Sequence, residues 1–86
     1  MFIEVQFSLY PLGESEISKY VEKIVEIVKS FSLPVEVGAM SSITYGESKI
    51  VFEAVNKAIE SLEGTHYVLV MTVSNACPLP QRKENK

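Results

Sequence analysis

The stretch Val35-Glu36-Val37-Gly38-Ala39-Met40-Ser41-Ser42-Ile43-Thr44-Tyr45-Gly46-Glu47 leaves this chain few architectures to choose from. It reads as two short strands joined by a tight connection around Ala39 to Ser41. Strand-then-helix sequence lies before it and helix-then-strand sequence after it. Ser42 and Thr44, two apart, also put two hydroxyls on one face of their strand.

Residues 2–10 alternate, with Ile3, Val5, Phe7 and Leu9 on one face and Glu4, Gln6, Ser8 and Tyr10 on the other, until Pro11 ends the ladder. Gly13-Glu14-Ser15-Glu16 reads as a helix start, with a serine able to cap and glutamates near the positive end of the dipole. From there Ile17, Tyr20, Val21, Ile24, Val28 and Phe31 fall at helical spacing, and Pro34 closes the segment. Gly46-Glu47-Ser48 begins a second helix whose inner stripe is Val51, Val55, Ala58 and Leu62, supported by Ala54 and Ile59. Gly64 suits a left-handed terminating position, and Thr65–Ser74, β-branched and aromatic, is the last strand.

The order β-α-β-β-α-β predicts an α+β fold of the ferredoxin-like class. It is a sandwich of a four-stranded antiparallel sheet with two helices on one face. Residues 1–75 are expected to form this domain, and residues 76–86, with Cys77-Pro78-Leu79-Pro80 and a charged end, an irregular tail. The first and third strands are then central. Alternation assigns Ile3, Val5, Phe7, Leu9, Val35, Val37, Ile43, Tyr67, Leu69, Met71 and Val73 to the helix side. Glu4, Gln6, Ser8, Tyr10, Glu36, Gly38, Met40, Ser42, Thr44, His66, Val68, Val70 and Thr72 go to the bare side.

Eighty-six residues, 47% hydrophobic and 22% charged, suffice for one small core, which oligomerisation commonly supports. The N-terminus has no signal pattern, and no apolar run approaches the roughly 20 residues of a membrane span. A single cysteine, Cys77, cannot pair within the chain, so a reducing, cytoplasmic setting fits. The net charge of −3 hides a more acidic body: Arg82, Lys83 and Lys86 against Glu84 put +2 beyond Cys77 and leave −5 for residues 1–77. Scattered lysines on an acidic body make a poor nucleic-acid surface. His66 and Cys77 have no evident catalytic partner, and no Cys-x-x-Cys or His-x-x-x-His spacing suggests a metal. No catalytic residue, metal or cofactor is expected. An RNA-recognition module would carry aromatic residues on its central strands, and an acylphosphatase an arginine in a loop after the first strand; neither pattern is here.

Function should therefore lie on the bare face, where Val68 and Val70 ask for cover. A sheet-to-sheet homodimer would provide it. So would a small polar ligand satisfying Gln6, Ser8, Ser42 and Thr44, and one interface could hold both.

Tyr10-Pro11-Leu12-Gly13, then Ser18-Lys19-Tyr20-Val21, then Val37–Glu47 resemble, in order and spacing, the thiamine-binding (YkoF-like) protein family. The likeness covers about residues 1–74. Ser42 keeps the hydroxyl of that family's hairpin threonine, whereas Ala39 and Ser41 stand where proline and glycine are usual, and Pro78 and Pro80 interrupt the usual C-terminal helix. The resemblance implies non-catalytic binding of thiamine or its hydroxymethylpyrimidine moiety by stacked sheets, in a homodimer or homotetramer. Gln6, Ser8, Ser42 and Thr44 would meet the aminopyrimidine ring. Tyr10 would stack on a ring or contact the cation, Glu36 or Glu4 would supply local negative charge for a thiazolium, and Met40 would lie beside the ligand. The alternative is a homo-oligomeric interaction module with no pyrimidine ligand.

Overall fold

A computed structural model of the chain describes residues 1–13 and 15–76. The elements are β1 (Phe2–Pro11), α1 (Ile17–Lys29), β2 (Val35–Val37), β3 (Ser42–Glu47), α2 (Ser48–Glu60) and β4 (Tyr67–Ser74). The strands form one antiparallel sheet in the order β2-β3-β1-β4, with β1 and β3 in the middle. Both helices pack on the face that carries Ile3, Val5, Phe7 and Leu9, which makes this a ferredoxin-like α+β fold. The tail expected beyond Ala76 lies outside the described residues.

Burial follows the alternation of β1 closely. Ile3, Val5, Phe7 and Leu9 are all buried and join Ile24 and Val28 of α1 with Val51, Ala54, Val55 and Ala58 of α2 in one core. Each fully buried valine or leucine here, such as Val5, Val51 or Leu62, contributes about 1.5–3 kcal/mol of transfer free energy. Ile59 departs from its expected inward position and is exposed, because Val51, Ala54, Val55 and Ala58 make up the inner face of α2 and Ile59 lies off it. Gly64 does adopt positive φ (+90°) beyond the end of α2. No side chain caps α1: its cap position is Glu16, and Ser15 falls one residue too early. At α2 the Ser48 N–H donates instead to the Met1 carbonyl (2.9 Å), tying the helix start to the start of β1. No helix among the described residues is long and apolar enough to cross a membrane.

One strand runs in the opposite phase to the sequence expectation. Thr44 is paired with Val5 and Ser42 with Phe7, so both hydroxyl residues lie on the helix side, and Ile43 and Tyr45 lie on the bare side beside Gln6 and Glu4. Ser42 and Thr44 are buried accordingly. Steric demand explains the inversion. Gly46, in the same phase, faces Leu33 and Val51 so closely that a Cβ there would stand 2.7 Å from the Leu33 Cδ2. Beneath Leu33 of the α1–β2 connection and Val51 of α2 this face of β3 carries small residues, and the larger Ile43 and Tyr45 take the other face.

Candidate functional site

The site arises from a mismatch of strand lengths. β1 continues beside β4 as far as Pro11, but its pairing with β3 stops at Phe7, opposite Ser42. Ser8 to Pro11 therefore have no β3 residue beside them, and the β2–β3 connection hangs next to the vacant edge. That connection closes with the Gly38 N–H donating to the Ser41 carbonyl (2.8 Å), around Ala39 and Met40. Neither tip residue has positive φ, so this is not one of the primed turns whose twist matches the flanking strands. The hairpin is accordingly short, with only three residues in β2.

Two side chains of β1 hold the hairpin in place. Gln6 Nε2 donates to Ser41 Oγ at 2.9 Å, and Ser8 Oγ donates to the Met40 carbonyl at 3.1 Å. Between hairpin, β1 and the first turns of α1 lies a cavity of about 330 Å³, at the lower end of the roughly 300–1,000 Å³ usual for small-molecule pockets. Phe7, Leu9 and Ser42 line it from the sheet, and Ile17, Val21 and Ile24 from α1. Ser8, Tyr10 and the hairpin residues Gly38–Ser41 complete it. Every one of these described lining residues is uncharged.

The two hydroxyls that the sequence paired have different roles. Thr44 is fully buried and its Oγ1 donates to the Pro34 carbonyl at 2.8 Å, so it belongs to the core and does not line the cavity. Ser42, 3% exposed, lines the cavity, and its hydroxyl makes no hydrogen bond with another described residue. No buried side-chain nitrogen or oxygen among the described residues lacks a partner, so this hydroxyl opens onto the cavity, where it can both donate and accept.

Of the residues singled out from sequence, Ser8, Tyr10, Met40 and Ser42 come together around the cavity. Gln6 stands one step behind, holding Ser41. Glu36 is on the bare face of the edge strand, opposite Ile43, and is not in the lining. Sequence reasoning missed the α1 wall. Ile17 and Val21 had been read only as part of a core stripe, yet Ile17 is half exposed at the head of the helix, and a large apolar residue left so open on an inward stripe is the available signal. His66 contributes its backbone carbonyl, which accepts from the Leu12 N–H at 2.8 Å. No group of three or more His, Cys, Asp or Glu side chains converges among the described residues.

Comparison with known proteins assigns the family. Residues 5–76 match the thiamine-binding protein family, and the chain belongs to it. It is 28% identical to the UPF0045 protein MJ1052 of Methanocaldococcus jannaschii over 98% of this chain and 81% of that protein. The crystal structure of MJ1052, described as a hypothetical protein, superposes with a TM-score of 0.79 at 26% identity, covering 98% of this chain and 93% of that one. A candidate thiamine biosynthesis/salvage protein of Thermotoga maritima, TM0486, shares the fold at a TM-score of 0.80 and 18% identity, with 99% and 97% of the two chains covered. So does a domain of unknown function, DUF77, from Bacillus cereus, at 0.76 and 19%, with 96% and 86% covered.

Proposed function

We propose that this protein binds thiamine, or its hydroxymethylpyrimidine moiety, reversibly and without catalysis, with the pyrimidine ring in the cavity beneath the β2–β3 hairpin. The observation that carries this reading is the Ser42 hydroxyl, which opens onto a neutral, largely apolar cavity in a thiamine-binding family member. An aminopyrimidine offers ring nitrogens to accept from that hydroxyl and an amino group to donate to it. Ile17, Val21 and Phe7 suit the ring faces, and Tyr10 at the rim suits stacking or contact with a cation.

The rim also connects the cavity to self-association. Ser8 and Tyr10 belong to the bare face, which carries Ile43, Tyr45, Val68 and Val70. A second copy stacked on that face would bury Ile43, Val68 and Val70, Tyr45 being buried already, and close the rim, so that the ligand sits against a subunit interface. The exposed valines and Ile43 equally favour a second reading, an interaction module whose bare face serves assembly alone.

Titration calorimetry with hydroxymethylpyrimidine and thiamine separates the two. The expected result is saturable binding by the native protein and about tenfold weaker binding by Ser42→Ala, the loss of one neutral hydrogen bond, with the oligomer unchanged. Absence of heat with either compound at high protein concentration favours the assembly module.

A further inference from the structure

We infer that the cavity selects the unphosphorylated form of its ligand, taking the free alcohol of a hydroxymethylated heteroaromatic ring and rejecting its phosphate monoester. This rests on the pyrimidine-binding reading above and adds to it a chemical class. A phosphate monoester carries a charge of about −1.5 to −2 at neutral pH and three strong acceptor oxygens. Proteins meet that demand with Arg or Lys, with glycine-rich backbone nests, or with a free helix N-terminus. None of the described lining residues is Arg, Lys or His, and the three hydroxyl side chains nearest the hairpin are serines, two of them already engaged: Ser8 with the Met40 carbonyl and Ser41 with Gln6.

The positive end of a helix is close by, since Ile17, the first residue of α1, lines the cavity. Its cap residue is Glu16, which makes no side-chain cap, so the helix N–H groups stay open, and the negative charge of Glu16 beside them opposes a second anion there. Beyond the lining, residues 1–77 carry a net −5, so the surrounding field attracts a thiazolium and repels a phosphate. On the pyrimidine itself the ester oxygen is one methylene from the ring, which puts the phosphate where the thiazolium of thiamine would stand, next to a lining with no Arg or Lys.

The test is a comparison of dissociation constants for hydroxymethylpyrimidine and its phosphate monoester, at about 0.1 M salt, on the native full-length chain and on Ala39→Lys. The native protein is expected to bind the alcohol at least 30-fold more tightly than the ester. Ala39 is an exposed residue of the hairpin tip, and a lysine there supplies the missing cation, so the alcohol-to-ester ratio should fall at least tenfold. Met40→Lys, at a position 85% exposed, repeats the test if the first variant does not fold. Equal affinity for both compounds overturns the inference and leaves the pyrimidine reading standing. A large ratio that neither lysine moves overturns the electrostatic origin. Binding of neither compound removes the reading and the inference with it.

Discussion

The Thr44 hydroxyl donates to the Pro34 carbonyl at 2.8 Å from a position with no exposed surface. The bond joins β3 to the segment that leads from α1 into β2, and it satisfies a carbonyl just before the edge strand. Thr44→Val keeps the shape of the side chain and leaves the carbonyl without its partner. The expected outcome is a loss of about 1–2 kcal/mol in urea denaturation, with ligand affinity unchanged. An affinity loss without a stability loss would return Thr44 to the binding residues.

Gly46 and Leu33 set the spacing between β3 and the α1–β2 connection. A methyl group at position 46 would stand 2.7 Å from the Leu33 Cδ2 and 3.6 Å from the Val51 Cγ2. Gly46→Ala is expected to destabilise by about 1–2 kcal/mol through overpacking. Combined with Leu33→Ala, the two penalties should sum to less than their separate values, since each relieves the strain or the void made by the other. Strict additivity in the double-mutant cycle would deny the contact.

Ile43 tests the bare face. It is half-buried in the isolated chain and lies beside Gln6 of β1 and Glu36 of β2. Ile43→Glu sets a second carboxylate beside Glu36 in the middle of the face. Sedimentation velocity should then report a monomer, while circular dichroism retains the native spectrum because no helix-side residue is touched. A variant that sediments like the native protein would exclude stacking through this face.

The legible parts of the fold are those where one physical signal acts alone. The alternation of Ile3, Val5, Phe7 and Leu9 has no competitor, and all four are buried. The stripe of α2 at Val51, Val55, Ala58 and Leu62 is buried as its spacing requires. β3 was misread because two signals compete there. Hydrophobicity favours Ile43 inside; the room available favours Ser42, Thr44 and Gly46, and room prevails because Leu33 of the α1–β2 connection packs tightly over this face of β3. A glycine in a strand often marks such an approach, and Gly46 shares its phase with both hydroxyls, so the information was present. The candidate site was half legible. Ser8, Tyr10, Met40 and Ser42 converge around the cavity, but its α1 wall depends on how far β3 runs, which no local pattern encodes.

The four residues by which β1 outruns β3 carry a consequence for how such a pocket is gained or lost. The void is a product of register counting and owes nothing to a specialised loop. Lengthening each arm of the hairpin by four residues would lay new strand along Ser8 to Pro11 and erase the pocket, with every core side chain left as it is. Trimming a longer hairpin by the same amount would open one. In a sheet of this topology a ligand site can therefore come and go as a unit, by insertion or deletion at a single turn, while the packed half of the molecule takes no notice.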